Sequence, residues 1–136
     1  MSVNARSTVR PGAKPRGLRR LLNAFRNTAR GFAGAWREEE AFRQECLLAV
    51  VVIPLGLWVG GSGIGRALLV GPMLLILIVE LLNSAVEAAI DRIGVERNPL
   101  SGLAKDLGSA AVFVSFVLLV ANWVLVLRDL AITHFF

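Results

Sequence analysis

The sequence is poor in the residues that build disulfides and zinc sites. It contains one cysteine, Cys46, and one histidine, His134, among 136 residues. A single cysteine excludes an intrachain disulfide, and the scarcity of His and Cys ligands argues against a structural zinc site. Charged residues are also few, at 18%, whereas hydrophobic residues make up 55%. This balance is unusual for a soluble domain and favours an integral membrane protein.

Long apolar runs predict the membrane segments. The clearest, Leu107–Leu127, contains no charged residue and is about as long as the roughly 20 residues that cross a hydrocarbon core. Together the apolar runs predict three spans, at about residues 41–61, 66–93 and 101–130. The start of the chain has no compact apolar run, so no cleavable signal peptide is expected.

Two polar segments separate the predicted spans. The first, "GGSGIG", reads as a turn; it lacks the glycine spacing and the following Lys-Ser/Thr of a phosphate-binding loop. The second, "VERNPLSGLAKD", is predicted to be a polar loop in which Pro99 and Gly102 break the helix.

The segment before the first span is basic and amphipathic. In "GLRRLLNAFRNTARGFAGAW" the apolar residues recur at steps of three and four and arginines fill other positions. This pattern predicts a helix at about residues 17–36 that lies on the membrane surface. Residues 1–16 are predicted to form a disordered basic extension, and residues 17–136 a single membrane domain. Beside a membrane segment, anionic lipid headgroups are a better partner than nucleic acid for such a sequence.

The distribution of basic residues predicts the orientation. Ten Lys and Arg residues precede the first apolar run, and Arg92, Arg97 and Lys105 lie between the apolar parts of the second and third spans. Only Arg66 and Arg128 fall on the other side. By the positive-inside rule, the N-terminus and the second loop are cytoplasmic.

A polar stripe near the end of the second span is the strongest functional signal. Glu80, Asn83, Glu87 and Asp91 fall within about 80° on a helix of 3.6 residues per turn, with Ser84 beside them. Ionisable groups in a membrane helix cost about 2.5–3.5 kcal/mol each on insertion scales. A second acidic group lies just before and at the start of the first span, and it consists of Glu38, Glu39, Glu40 and Glu45. Lys105 and Asp106 lie at the start of the third span.

These residue types permit several interpretations. Carboxylates from two helices form the hard oxygen site that Mg²⁺ accepts alongside phosphate oxygens. Alternatively, the polar groups only hold helices together, as in a structural membrane protein. A third possibility is a proton-coupled membrane carrier in which Glu80 and Glu87 form a relay, although the chain shows no obvious repeat pair.

Three motifs resemble the signature of the small prokaryotic diacylglycerol kinases. They are "FRQE", "VELLNSAVEAAIDRIG" and "LSGLAKDLGSAAV", and the resemblance extends from about Arg20 to Phe136. It implies an all-α membrane protein with an N-terminal amphipathic surface helix and three transmembrane helices. It further implies a homotrimer with active sites shared between subunits, in the inner membrane of a bacterium. The implied reaction moves the γ-phosphoryl group of MgATP onto the hydroxyl of diacylglycerol, giving phosphatidic acid; related sequences phosphorylate undecaprenol instead.

The resemblance also assigns roles to individual residues. Glu80 matches the general base, oriented by Asn83, and Glu39 with Glu87 matches the metal ligands. The matched ATP contacts are Arg20, Asn27, Glu39, Glu87, Glu96, Arg97, Asn98, Lys105 and Asp106. The matched contacts to the lipid substrate are Arg20, Trp36, Phe42, Arg43, Gln44, Glu45, Glu80, Ser109 and Trp123.

Overall fold

A computed structural model describes residues 17–94, 96 and 98–135 of the chain. Within them the chain forms four α-helices: α1 (Leu18–Glu38), α2 (Glu40–Val59), α3 (Gly63–Ile93) and α4 (Pro99–Phe135). The all-helical fold class predicted from the sequence is therefore confirmed. The predicted disordered extension, residues 1–16, and the predicted ATP contact Arg97 lie outside the described residues.

The chain divides after Ala33 into two compact units. The first contains most of α1, which is amphipathic and has no buried residue. Its apolar side chains are largely exposed, as Leu18 (72%) and Phe25 (65%) illustrate. An apolar helix face left open in this way suits a membrane interface.

Three helices in the described part of the chain are long and apolar enough to cross a membrane, namely α2, α3 and α4. At 1.5 Å per residue, α2 is about 30 Å long, close to the thickness of the hydrocarbon core. The 31 residues of α3 and the 37 of α4 make both helices longer than that core. Each helix therefore extends beyond the hydrocarbon at one end or both, which suits Asp91 and Arg92 at the end of α3 and the Lys105-Asp106 pair near the start of α4.

The turn between α2 and α3 has the chemistry that its sequence predicts. Gly60 ends α2, and Gly61 adopts a left-handed backbone with φ of 58°, a conformation that costs little only for glycine. Ser62 then caps α3, because its hydroxyl accepts a hydrogen bond of 3.1 Å from the Gly65 backbone nitrogen.

The loop between α3 and α4 is shorter than predicted. The prediction that Gly102 breaks the helix is wrong, because α4 begins at Pro99 and includes Gly102. The cause is the preceding residue: the Asn98 side-chain oxygen accepts from the backbone nitrogens of Leu100 (2.8 Å) and Ser101 (3.4 Å). Asn98 is thus the N-cap, and proline suits the position after it since it has no N–H to leave unpaired.

The core of the second unit lies between α3 and its two neighbours, α2 and α4. Ala49, Met73, Ile76 and Leu119 form its buried cluster. Trp123 packs against this cluster, and its indole nitrogen donates to the Leu69 carbonyl at 3.2 Å. Most other large apolar side chains of the spans are exposed, as expected where lipid or other subunits cover them.

Candidate active site

The polar stripe of α3 continues the buried seam of that helix. Leu69, Met73 and Ile76 are fully buried, and Glu80 follows at the same spacing with only 4% of its surface exposed. Steps of three and four residues place all of these side chains on one helix face. The seam that packs α3 against its neighbours therefore changes from apolar to carboxylate at Glu80.

Glu80 lies at a cleft bordered by three helices. The cleft has a volume of about 370 Å³. It is lined by Ala41, Gln44, Glu45 and Leu48 of α2, by Glu80 of α3, and by Val112 and Phe116 of α4. Two carboxylates and one amide thus border a largely apolar space. Such a combination suits an amphiphilic ligand with a polar head and a hydrocarbon body.

A second buried carboxylate, Glu45, accompanies Glu80. Only 4% of Glu45 is exposed, and its charge interacts with that of Glu80. One carboxylate oxygen of Glu45 is buried without a hydrogen-bond partner among the described residues. Buried polar atoms are normally paired, so this oxygen is a candidate to meet a ligand or another subunit.

Asn83 and Glu87 form the next turn of the stripe. The Asn83 amide nitrogen donates to a Glu87 carboxylate oxygen at 3.0 Å. The Asn83 carbonyl oxygen and the Ser84 hydroxyl are buried, and neither has a partner within the described part of the chain. Asn83 thus orients Glu87 while keeping its own acceptor for another group.

Helix α4 approaches this turn closely through Gly108. A Cβ atom added at Gly108 would collide with the Asn83 carbonyl oxygen. A side chain at position 108 would therefore either push α4 away from α3 or displace the Asn83 amide. Gly108 is part of the motif "LSGLAKDLGSAAV", but its role could not be predicted from the sequence, since the contact depends on the register of two helices.

Glu39 lies at the break between α1 and α2. Its backbone is extended, with φ of −108° and ψ of 111°, and its side chain makes no capping hydrogen bond. Glu39 is half-buried, and its charge, like that of Glu87, interacts with Glu80. Three of the carboxylates predicted to share a site thus lie in one neighbourhood.

Within one chain, the carboxylates of this region offer few ligands for a metal ion. No group of three or more His, Cys, Asp or Glu side chains in the described ranges is close enough to hold a metal ion. Two half-buried carboxylates, Glu39 and Glu87, nevertheless suit Mg²⁺, which commonly takes one or two carboxylates and completes its shell with water and phosphate oxygens.

A larger pocket lies at the junction of α3 and α4. It has a volume of about 630 Å³, and its polar lining includes Lys105, whose ammonium contacts the Asp91 carboxylate at 2.6 Å. Sequence reasoning placed Asp91 on the stripe but gave it no role; the pair spans two helices and has no local sequence signal. The pocket is lined by Ile90, Asp91, Gly94, Glu96, Asn98, Pro99, Ser101, Gly102 and Lys105.

Several predicted contacts already have structural partners. The Arg43 guanidinium donates to the carbonyls of Trp36 (3.0 Å) and Arg37 (3.2 Å) at the end of α1. The Gln44 amide donates to Glu40 at 3.2 Å. The Asn98 side chain caps α4. These contacts order the backbone around the site whether or not the same side chains touch a ligand.

The remaining predicted residues are distributed along the chain. Phe42 is buried, whereas Asp106 and Ser109 are exposed on the first turns of α4. Arg20 and Asn27 are exposed on α1, in the separate first unit. Trp123 donates a hydrogen bond to the carbonyl of Leu69. Leu69 precedes Glu80 by eleven residues, so the two lie about 16 Å apart along α3. Within one chain, Trp123 is therefore distant from the polar stripe.

Comparison with known proteins identifies the family of this arrangement. The family described as prokaryotic diacylglycerol kinase matches residues 26–127, a range that includes the stripe, all three helix junctions and the Lys105-Asp106 pair. The chain belongs to the prokaryotic diacylglycerol kinase family. The family predicted from the sequence motifs is thus confirmed.

Curated relatives agree over most of their length. The diacylglycerol kinase of Pseudomonas aeruginosa is 50% identical over 111 residues, covering 82% of this chain and 90% of that protein. The diacylglycerol kinase of Haemophilus influenzae is 44% identical over 110 residues, covering 81% and 93%. The diacylglycerol kinase of Escherichia coli K12 is 41% identical over 111 residues, covering 82% and 91%.

Proposed function

We propose that this membrane protein is an ATP-dependent lipid kinase that phosphorylates diacylglycerol. The γ-phosphoryl group of ATP would pass to the lipid hydroxyl, giving phosphatidic acid and ADP. The observation that carries the proposal is the buried seam of α3, which becomes carboxylate at Glu80 beside an apolar cleft. In a chain of the diacylglycerol kinase family, this is a place where a lipid hydroxyl could meet a base.

Glu80 is the proposed general base. Its carboxylate takes the proton as the lipid hydroxyl oxygen forms a bond to the γ-phosphorus and the bond from that phosphorus to the bridging oxygen of ADP breaks. The apolar lining of the cleft, Leu48, Val112 and Phe116, suits the acyl chains. Glu45, Gln44 and the neighbouring residues of α2 are proposed to hold the polar end of the lipid.

Glu39 and Glu87 are the proposed ligands of Mg²⁺. When bound, the ion neutralises charge on the transferring phosphoryl group. The chain contributes by holding both carboxylates near Glu80, and Asn83 fixes the orientation of Glu87 through its 3.0 Å hydrogen bond.

The pocket at the α3–α4 junction is proposed to receive ATP phosphates. Lys105 supplies positive charge there, with Glu96, Asn98 and Asp106 nearby in sequence, and Arg97 is a further proposed contact. Arg20 and Asn27 of α1 are proposed to complete the nucleotide site. Phosphoryl transfer depends mainly on such positioning and charge neutralisation.

The proposed setting is a homotrimer in the inner membrane of a bacterium, with neighbouring subunits sharing each site. Exposed apolar surface on α2 and α4 and the unpaired buried oxygens of Glu45, Asn83 and Ser84 support an assembly. The excess of basic residues before α2 and after α3 supports a cytoplasmic N-terminus and a cytoplasmic active site.

The test is phosphate transfer by the purified full chain in detergent micelles. ATP labelled at the γ position is supplied with diacylglycerol, with undecaprenol or without lipid, and labelled lipid and ADP are both measured. The proposal requires diacylglycerol-dependent ADP release matched by labelled phosphatidic acid. Preferential labelling of undecaprenol would assign the other alcohol, and ADP release that no lipid stimulates would contradict a lipid kinase.

A further inference from the structure

Most of the arginines of α1 lie along one side of the helix. Between Leu18 and Arg37 there are five arginines and no acidic residue. Arg19, Arg26 and Arg30 lie within about 40° of one another on the helix, at steps of seven and four residues. Over these eleven residues the helix rises about 16 Å. We call this set the arginine row.

The arginine row borders the apolar face of α1. Leu18, Leu22 and Phe25 define that face, and all three are more than half exposed. The row lies about a quarter turn from the centre of the face. In a helix lying in a membrane with its apolar face inward, this position is at the depth of the lipid phosphates.

The opposite border of the same face carries no charge. Ala24, Thr28 and Ala35 occupy it, and the Thr28 hydroxyl turns back to donate to the Ala24 carbonyl at 3.0 Å. An amphipathic helix that only needed solubility could place its arginines on both borders or on the far face. Here the charge that can reach lipid phosphates is concentrated on one side.

We propose that the arginine row is a binding surface for anionic phospholipid headgroups. Arg19, Arg26 and Arg30 are exposed, so their guanidinium groups can reach the bilayer surface. A guanidinium donates paired hydrogen bonds to phosphate oxygens in a geometry that Lys does not reproduce. The row gathers anionic lipids along one border of α1, while the opposite border has no preference. This proposal does not depend on the kinase reaction.

Fluorescence quenching at Trp36, on the same helix, tests the proposal in the full chain. Trp58 and Trp123 are replaced by Phe in every protein compared, so that Trp36 alone reports. Each protein is placed in nanodiscs of phosphatidylcholine with added phosphatidylglycerol. In one set the phosphatidylglycerol carries brominated acyl chains, and in the other set part of the phosphatidylcholine carries them. The ratio of the two apparent association constants measures headgroup selectivity.

The parent should favour phosphatidylglycerol by at least about fivefold, since one surface arginine near anionic lipid already gives an effect of that size. Replacing Arg19, Arg26 and Arg30 by Gln should bring the ratio close to one. Replacing all three by Lys should keep part of the preference, since the charge remains. The preference of the parent should also fall at about 1 M salt, where the Debye length is about 3 Å.

A charge-matched variant separates the row from net charge. Arg6, Arg10 and Arg16, which precede α1, are replaced by Gln, giving the same loss of three charges. The proposal predicts that this variant keeps the parental preference. It is overturned if the row variant keeps the parental ratio, or if the charge-matched variant loses as much of it.

Discussion

Glu39 and Glu87 differ from the other acidic side chains in the described part of the chain, because both are half-buried whereas the others are either exposed or nearly fully buried. A half-buried carboxylate keeps one side open to a ligand while its protein contacts fix its direction. This placement distinguishes Glu39 from its exposed neighbours Glu38 and Glu40, which sequence spacing alone did not separate.

Glu39→Gln and Glu87→Gln are each predicted to raise the Mg²⁺ concentration that supports half-maximal activity by at least about tenfold. Each change removes a charged oxygen ligand and keeps the size of the side chain. The measurement is lipid phosphorylation against Mg²⁺ concentration at constant ATP. Glu38→Gln is the matched control, an exposed carboxylate one residue away. Unchanged Mg²⁺ dependence in both variants would contradict the two-carboxylate site.

The contact of Lys105 with Asp91 is predicted to affect ATP binding. Asp91 holds the Lys105 ammonium at 2.6 Å, at the edge of the proposed phosphate pocket. An ion pair this exposed contributes little to folding, so its main effect would be to position Lys105. Asp91→Asn is predicted to raise the KM for ATP several-fold with a smaller change in kcat, and Asp91→Glu to restore part of the loss.

Steady-state kinetics at varied ATP and saturating lipid separate the two parameters. A purely structural role of Asp91 would instead lower kcat and thermal stability together. That result, with KM unchanged, would remove Asp91 from the nucleotide site.

At the scale of helices, the architecture could be predicted better than its contacts. Apolar runs of sufficient length predicted three spans, and the period of three and four residues predicted an amphipathic α1, because both signals are local. The start of α4 could not be read in the same way, since Pro99 and Gly102 are helix breakers in most settings. Asn98 reverses that expectation by capping the helix directly before the proline.

Contacts between helices were less predictable, because they depend on how one helix is aligned against another and not on a local sequence pattern. The spacing of Glu80, Asn83 and Glu87 fixes a shared face of α3 but does not say what faces it. The approach of Gly108 to Asn83 and the pairing of Lys105 with Asp91 depend on the register of α4 against α3. That register results from packing along the whole length of both helices.

Gly108→Ala tests the close approach of α4 to α3. The added methyl group would collide with Asn83, so either the helices separate or Asn83 leaves Glu87. Overpacking of this kind typically costs about 1–3 kcal/mol, and activity should fall together with stability. Thermal unfolding in micelles and the phosphorylation rate are the measurements.

Gly102→Ala is the matched control for stability, because it lies in the same helix and a Cβ there meets no atom within 4 Å. In a helix interior, Ala is favoured over Gly by about 0.8–1.0 kcal/mol. The packing account would be contradicted if Gly108→Ala were as stable as Gly102→Ala and fully active.

In the whole molecule, the residues of the proposed site are distributed over both units of the chain. Glu39, Glu80 and Glu87 interact within a single chain. Arg20 and Asn27 belong to the separate unit that contains most of α1. We propose that α1 is the element that one subunit contributes to the next if subunits share sites.

Mixing two inactive variants tests this sharing. Arg20→Gln and Glu80→Gln proteins, unfolded and refolded together in equal amounts, should form mixed trimers in which about a quarter of the sites combine an intact α1 with an intact α3. Activity should recover toward that fraction. A mixture of Glu80→Gln and Glu87→Gln is the control and should stay inactive, since both changes lie on α3. No recovery in the first mixture, with mixed oligomers present, would mean that each chain builds its own site.

The rate of lipid phosphorylation by Glu80→Gln, measured beside nucleotide binding in the same preparation, decides whether Glu80 is the base. Gln keeps the size and hydrogen-bonding reach of Glu but cannot take the proton from the lipid hydroxyl. General-base assistance is typically worth a factor of about 10²–10⁴, so turnover should fall by that order while ATP affinity stays close to the parental value. A variant that phosphorylates diacylglycerol at nearly the parental rate would show that Glu80 is not the base, and that the carboxylate at the end of the α3 seam serves helix packing instead.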